Sequence, residues 1–231
     1  MNELRLITEG LGAWLHYEFC GNRSQLFSEK YLAPPIGTIL SSVQPHTVYA
    51  EFNHQILSSS MKGPGRRPAI DFVVSSSYPT PRIAIESKWI GKSSPQVHEV
   101  VRDLVRLALL CSHFDTKCYF VLAGRRRRLD DYFAQADFAG PGTKRAKPIL
   151  STTSNRQHAI SLTPDPPYRI QLLKKCFARF TNIQVPQRVI TRRTDPFPYN
   201  AKSVEYQVYG WEVFVPKSKP LFWPKRSKHF A

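Results

Sequence analysis

The sequence predicts an α/β fold in which a mixed central sheet is flanked by helices. Three observations lead to this prediction. Apolar residues recur at helical spacing over 3–19. Three segments rich in β-forming residues then follow between residues 47 and 90. An amphipathic segment over 95–112 comes next and leads into a short apolar strand over 117–123. Helices and strands in this order are typical of a sandwich built on one sheet.

Local signals predict the remaining elements. A short helix over 24–32 is expected to stop before Pro34-Pro35, because the residue before proline avoids the helical conformation. The three central strands are predicted at 47–56, 69–75 and 82–90, and the amphipathic helix has Pro95 in its first turn. Later elements are predicted as a helix over 129–138, a strand over 158–162, a helix over 167–180 and β-like segments over 185–191 and 203–215.

Charge is distributed unevenly along the chain. The 231 residues carry a formal net charge of +16, with a pI near 9.9. The first 60 residues hold three basic and five acidic side chains, a charge of −2, so the other 171 residues carry +18. A lopsided basic surface of this kind indicates a polyanionic partner. Nucleic acid is favoured over a membrane, because no basic amphipathic helix with an aromatic apolar face is found.

The composition also limits where the protein acts. No segment approaches the roughly 18–20 uninterrupted apolar residues that span a bilayer. The first eight residues lack the apolar stretch and small-residue cleavage site of a secretory signal. We therefore expect a cytoplasmic protein. The four cysteines lack zinc-site spacing and are expected to be ordinary thiols.

Two of the predicted strands place charged residues opposite each other. The turn between 69–75 and 82–90 is centred between Tyr78 and Pro79, so opposed residues have numbers that sum to 157. Asp71 then lies opposite Glu86 on the same face of the hairpin. That face presents Asp71, Val73, Ala84, Glu86 and Lys88, and the other face presents Ile70, Phe72, Val74, Ile83 and Ile85. Because the apolar face needs a core, the charged face is expected to line a cleft or meet solvent.

Two opposed carboxylates are unfavourable unless a positive charge compensates them. A divalent cation does this, and Mg²⁺ commonly takes one or two carboxylates, with waters and substrate phosphate completing its shell. Such an ion stabilises charge on a scissile phosphate and lowers the pKa of an attacking water. Lys88 could orient that water, assist its deprotonation or neutralise the phosphate, and the sequence leaves these three roles open.

Asp71, fourteen intervening residues and then Glu86-Ser87-Lys88 resemble the PD-(D/E)xK nuclease superfamily, which has the restriction-endonuclease-like fold. The resemblance covers residues 1 to about 125. It implies that Asp71 and Glu86 bind Mg²⁺, for which Mn²⁺ can substitute, that the Ser87 carbonyl assists, and that Lys88 is catalytic. An acidic residue of the first helix often joins such sites, and Glu18 is the best match. Glu51 is a second candidate.

Two departures from the family pattern are visible. Ile70 stands where the motif name has proline, at a position that varies widely in the family. The exonuclease pattern of glutamine followed four positions later by tyrosine is not met, because the residue four positions after Gln96 is Val100. The second departure weakens the case for an exonuclease of that subgroup.

Basic side chains near and beyond the hairpin are candidates for nucleic-acid contacts. The arginines of the helix over 95–112 share one polar stripe with His98, for which a solvated face is the ordinary explanation. The arginine run that follows the strand over 117–123 favours a polyanion, because adjacent like charges repel. The candidates are Lys62, Arg66, Arg67, Arg102, Arg106, Arg125, Arg126, Arg127, Arg128, Arg192 and Arg193.

These features predict a nuclease core over 1–184 and a basic extension over 185–231 that packs on the core or continues it. The expected activity is Mg²⁺-dependent hydrolysis of DNA phosphodiester bonds by an endonuclease in restriction, defence or mobile-element processing. A nucleic-acid-binding module with an idle nuclease site and an RNA-directed nuclease are the alternatives. A chain this short is expected to act as a homodimer or within a larger complex.

Overall fold

The computed structural model describes residues 2–61, 68–75, 77, 80–141, 147–164, 167–199, 205–216, 218 and 220–230. The α-helices are α1 (Glu3–Cys20), α2 (Glu29–Val43), α3 (Gln55–Ser60), α4 (Val97–His113), α5 (Arg126–Ala134), α6 (Ala136–Ala139) and α7 (Ile170–Phe177). The strands are β1 (Thr47–Asn53), β2 (Ala69–Ser75), β3 (Ile83–Ile90), β4 (Lys117–Arg125), β5 (Gln157–Ser161), β6 (Val185–Pro186), β7 (Arg188–Arg193), β8 (Tyr206–Phe214) and β9 (Leu221–Phe222). Short 3-10 turns cover Ser24–Leu26, Pro167–Arg169 and Pro224–Arg226.

Seven of these strands form one mixed, mostly antiparallel sheet in the order β1-β2-β3-β4-β8-β7-β5. The first three strands are an antiparallel meander, and β4 pairs parallel to β3 after the crossover through α4. Strand β8 lies beside β4, in the interior of the sheet. Two strands beyond residue 185, β7 and β8, are therefore part of the sheet. Strands β6 and β9 pair separately.

Helices cover both faces of the sheet, which gives two apolar clusters. On one face, α1 and α2 bury Leu11 and Ile36 against a set that includes Ile83 and Ile85 of β3. On the other face, α4 buries its apolar stripe against a set that includes Ala84. The neighbouring residues of β3 thus alternate between the clusters, as the two-residue period of a strand requires. The predicted α/β class, with a mixed sheet flanked by helices, is confirmed.

Helix α2 differs from its prediction. The predicted helix over 24–32 stopped before Pro34-Pro35, whereas α2 begins after the N-cap Ser28 and continues through both prolines to Val43. Each proline removes one backbone hydrogen bond. Leu32, Ile36 and Leu40 are fully buried, and this burial holds the helix in place despite the missing bonds. The local rule was outweighed by tertiary packing.

Most other bounds agree with the sequence pattern to within a few residues. Strand β2 has the predicted ends, and α1 is one residue longer than predicted. Strand β1 ends at Asn53 because His54 caps α3, its ring accepting the Ile56 N–H at 3.2 Å. Helix α5 begins three residues earlier than predicted and takes up most of the arginine run. No helix in the described part of the chain is both long and apolar enough to cross a bilayer.

Candidate active site

The hairpin of β2 and β3 has the register that the turn symmetry predicts. Phe72 pairs with Ile85, Val73 with Ala84 and Val74 with Ile83, so each pair of numbers sums to 157. One step further along the same register brings Asp71 level with Glu86. The predicted juxtaposition of the two carboxylates on one face is thus consistent with the observed ladder.

The charged face of the hairpin is more deeply buried than predicted. Helix α4 packs over it, and Glu86 has no exposed surface. Ile70, predicted on the opposite face, belongs to the apolar cluster on the α4 side. The expectation that this face meets a cleft or solvent is therefore wrong for Glu86, and it fits Asp71 and Lys88, which are partly exposed.

Arg106 of α4 is the positive charge nearest to Glu86. Its Nη2 lies 3.0 Å from Glu86 Oε1, and its Nη1 donates to Asp103 Oδ1 at 3.0 Å. Nη2 also donates to the Ala69 carbonyl. Burial raises the pKa of Glu86 well above its usual range, and Arg106 only partly offsets this effect. Arg106 therefore lies in the interior, away from the solvated stripe that the sequence suggested.

Lys88 lies among three oxygen atoms at the edge of the buried cluster. Its Nζ is 2.9 Å from Glu29 Oε1, 3.2 Å from Asp103 Oδ2 and 3.2 Å from the Ser87 carbonyl. Burial lowers the pKa of Lys88, but Asp103, Asp71 and Glu29 outweigh it, so the net direction is upward. Lys88 is a protonated cation at neutral pH.

Asp71 is oriented by the strand beside it. Its Oδ2 accepts the Ser87 N–H at 2.7 Å and the Ser87 hydroxyl at 3.0 Å, and no donor among the described residues contacts Oδ1. Burial raises the pKa of Asp71, opposed mainly by the charge of Lys88. One carboxylate oxygen is thus fixed by Ser87, and the other makes no hydrogen bond with the described residues.

The acidic residues that complete this cluster are Glu29 and Asp103, which the sequence reasoning missed. Glu18 lies elsewhere: its oxygens accept from Arg23 at 2.7 Å and from the Tyr31 hydroxyl at 2.6 Å. Glu51 is exposed, with a left-handed φ of 50°, between the β1–β2 pairs on either side of it. Glu18 makes no described contact with Lys88 or Arg106, whereas the flanking pairs place Glu51 level with Asp71 on the neighbouring strand.

One of the two missed residues left a signal in the sequence. Asp103 is three residues after Val100 and four before Leu107, so it interrupts the buried side of α4 with a charge that needs a partner. Glu29 gave no such signal. It stands in the first turn of α2, where acidic residues are common at any helix start.

The cluster has more negative than positive charge. Four carboxylates, those of Asp71, Glu86, Asp103 and Glu29, share it with Lys88 and Arg106, which gives a formal charge of −2. Neither oxygen of Glu86, nor Asp103 Oδ2, has a hydrogen-bond partner among the described residues. Arg106 lies within ion-pair distance of Glu86 Oε1, and Lys88 within ion-pair distance of Asp103 Oδ2. With every carboxylate ionised, buried oxygens in this state favour a further cation, and in its absence the raised pKa of Glu86 favours a proton there.

The residues fit one divalent cation in charge and chemistry. Within the described ranges, no group of three or more His, Cys, Asp or Glu side chains is arranged as a complete metal site. Mg²⁺ does not require one, since one or two carboxylates with waters and substrate phosphate suffice. Asp71 and Glu86 are the pair that would hold it, with the Ser87 carbonyl beside them.

A cleft of about 340 Å³ opens on this cluster. Lys88, Asp103, Glu29 and Arg106 line it, together with Arg102, whose guanidinium lies 3.4 Å from Glu99. The cleft therefore gives a charged substrate access to Lys88.

The arginine run over 125–128 begins at the end of β4, the strand that pairs with β3. Arg125 ends β4 and pairs with Glu205, and Arg126 is 3.9 Å from Asp130. Arg127 and Arg128 are exposed, and neither forms an ion pair within the described residues. Two of the four arginines are thus available to an external anion.

The other predicted phosphate contacts are scattered. Arg192 pairs with Glu212 at 2.5 Å, and Arg193 donates to the Ser154 hydroxyl at 2.9 Å. Lys62, Arg66 and Arg67 lie outside the described residues.

No protein-family model, curated protein or solved structure matches the chain.

Replacing Arg106 by Met is expected to destabilise the fold by about 3–5 kcal/mol, because it leaves Glu86 buried without its partner. Combining Arg106→Met with Glu86→Gln is expected to recover a large part of this loss. Urea denaturation of the two single variants, the double variant and the parent measures the coupling. A single Arg106→Met variant as stable as the parent contradicts the ion pair.

Glu18→Gln tests the separate network of α1. Hydrogen bonds from Arg23 and Tyr31 lower the pKa of Glu18 to about 2. A lowered folded-state pKa contributes stability that is present above the unfolded pKa and is lost as the pH falls toward the folded value. The variant is therefore expected to be less stable at neutral pH, with the difference shrinking below about pH 4.5. Urea denaturation from neutral pH down to about pH 3 measures this. A difference independent of pH contradicts the assignment.

Proposed function

We propose that this chain is a metal-dependent nuclease that hydrolyses phosphodiester bonds of DNA. The observation that carries the proposal is the fully buried Glu86 carboxylate, whose oxygens lack hydrogen-bond donors, within a cluster of charge −2 beside an open cleft. A purely structural ion-pair network is expected to balance its charges and satisfy its buried oxygens. This network does neither within the described residues.

Each residue of the cluster has a role in the proposal. A bound divalent ion would supply charge stabilisation at the phosphate and a more acidic water. Asp71 and Glu86 would hold the ion, and Ser87 fixes the Asp71 carboxylate through its N–H and hydroxyl. Protonated Lys88 faces the cleft, where it neutralises the phosphate, a role favoured over proton abstraction by its raised pKa. Asp103 and Glu29 position Lys88.

The topology supports the restriction-endonuclease-like interpretation. Helix α1, the β1–β3 meander with Asp71 and Glu86, the crossover helix α4 and the parallel strand β4 follow one another in the order that the resemblance implies. The basic surface supports a nucleic-acid substrate, held largely by phosphate contacts that weaken with salt. DNA is favoured over RNA by the resemblance. A role in restriction, defence or mobile-element processing, as a dimer or in a larger complex, belongs to the same proposal.

A nucleic-acid-binding module with an idle site is the second candidate. The contact of Arg106 with Glu86 favours it, because a guanidinium can take the place of a metal at that carboxylate. Incubation of plasmid DNA with Mg²⁺ or Mn²⁺ separates the two. Degradation that EDTA stops supports the nuclease, and intact DNA under every divalent ion supports the idle site.

Asp71→Asn and Glu86→Gln are each expected to reduce cleavage below detection while DNA binding is retained, because they remove ligand charge and keep side-chain size. Cleavage of a labelled duplex and gel-shift binding in EDTA measure the two properties. Glu9→Gln, a partly exposed carboxylate that contacts Arg5 and Tyr199 away from the cluster, is the matched control and is expected to keep full activity. Full activity in either site variant contradicts the proposal.

Glu29→Gln is expected to lower cleavage by about 10- to 100-fold, the range seen when a residue that orients a ligand or catalytic group is lost. The same change at Glu18 is expected to leave the cleavage rate unchanged under conditions in which the variant is folded. Initial rates of both variants decide whether Glu29 of α2 or Glu18 of α1 contributes its carboxylate to the site. Loss of activity with Glu18→Gln alone reverses the assignment.

A further inference from the structure

A second cavity adjoins the cleft that contains Lys88. We call it the side cavity. Its volume is about 650 Å³, within the range of roughly 300–1,000 Å³ typical of ligand sites. Glu29 and Ser93 line both the side cavity and the cleft. The side cavity and the cleft are therefore neighbours that share part of their lining.

One wall of the side cavity is aromatic. Phe27, Trp89 and Tyr206 line it, and all three are partly exposed. The rings of Trp89 and Tyr206 are nearly parallel, with an angle of 24° and a centroid separation of 5.9 Å. Phe27 contacts both rings edge-on, at 5.7 Å and 4.8 Å. These rings pack on the α1–α2 side of the core, so the wall is rigid. Rigid, accessible aromatic rings are the surfaces on which nucleobases stack.

The rim of the side cavity is basic. Lys30, Lys92, Arg125 and Arg128 line it, against the single carboxylate of Glu29, so the lining has a charge of +3. Arg125 is shared with Glu205. Arg128 stands in the first turn of the nine-residue helix α5, where the helix dipole adds to its positive charge. The rim therefore attracts an anion beside the aromatic wall.

We propose that the side cavity holds an unpaired nucleotide of the nucleic-acid strand that is cleaved. Its base stacks on the wall of Trp89 and Tyr206, and its phosphate lies at the basic rim. The inference rests on the proposed nuclease function and specifies its substrate. A base inside a duplex is paired and stacked on its neighbours, so the preferred substrate has a single-stranded end, flap or extruded base at the cleavage point.

The combination of features selects this occupant over an acidic peptide. A peptide carboxylate would use the rim and leave the aromatic wall without a partner. A single strand uses both, because each nucleotide has one phosphate and one base with an aromatic face. Contact between the side cavity and the catalytic cleft also places the base next to the bond to be cut.

Binding in EDTA tests the inference, since cleavage is then suppressed. A short single-stranded DNA oligonucleotide is expected to bind more tightly than a blunt duplex of equal length, and to quench tryptophan fluorescence. Trp89→Leu is expected to weaken single-strand binding by about 5- to 150-fold, the factor that corresponds to loss of one stacked base. Trp89→Phe is expected to bind the single strand nearly as tightly as the parent but without the quenching of Trp89 fluorescence. Tyr206→Leu is a second disruption of the same wall.

Trp223→Leu is the matched control, because Trp223 is a partly exposed tryptophan outside the side cavity. Circular dichroism confirms that each variant is folded. Equal affinity for duplex and single strand, or unchanged single-strand binding in both Trp89→Leu and Tyr206→Leu, overturns the inference. An RNA oligonucleotide that binds as DNA does, and through Trp89, supports the stacked base and broadens the substrate to both sugars.

The same experiment separates this inference from the nuclease proposal. If single-strand binding depends on Trp89 but no divalent ion gives cleavage, the side cavity stands and the nuclease proposal fails. If Mn²⁺ gives cleavage that depends on Asp71 and is indifferent to Trp89 on every substrate, the nuclease proposal stands and the side cavity fails.

Discussion

The burial of the Glu86 carboxylate between β3 and α4 is the constraint on which the rest of the site depends. A fully buried acid is costly unless cations surround it. Arg106 is placed against Glu86 for this reason, and Asp103, one turn earlier on α4, balances Arg106 in turn. Lys88 then bridges Asp103 to Glu29 at the cleft. A helix that only packed a core would not need this chain of charges, so α4 both closes the sheet and builds the site.

The charged side chains extend from Glu86 in the interior to Glu29 at the surface. Beyond Glu29, further charged residues line the side cavity. Glu29 and Ser93 line both the cleft, whose lining has three acidic and three basic side chains, and the side cavity, whose lining is basic and aromatic. An acidic centre beside a basic surface is suited to a polyanion whose scissile phosphate must approach carboxylates. In the proposed complex the basic rim would bind the flanking phosphates, and a divalent ion would compensate the central repulsion.

Sequence patterns predicted the parts of this arrangement that depend on local rules. The alternation of β3 and the symmetry of its turn gave the observed hairpin register, because both depend on residues close in the chain. They could not show that α2 continues through Pro34-Pro35, since that depends on burial against the sheet. For the same reason the sequence pointed to Glu18, with Glu51 as a second candidate, and gave no indication of Glu29. Which helix end reaches Lys88 is decided by the packing of α2 on β3, which no local pattern encodes.

The central claim is that Glu86 and Asp71 bind a divalent cation. A ligand that binds only the folded state raises its stability by about 2.7 kcal/mol at a hundred times its dissociation constant. Thermal unfolding with increasing Mn²⁺ measures this directly, with no assumption about substrate. The account predicts a midpoint that rises with Mn²⁺ for the parent and stays constant for Glu86→Gln. A parent midpoint that does not respond to Mn²⁺, or an equal rise in Glu86→Gln, would contradict it.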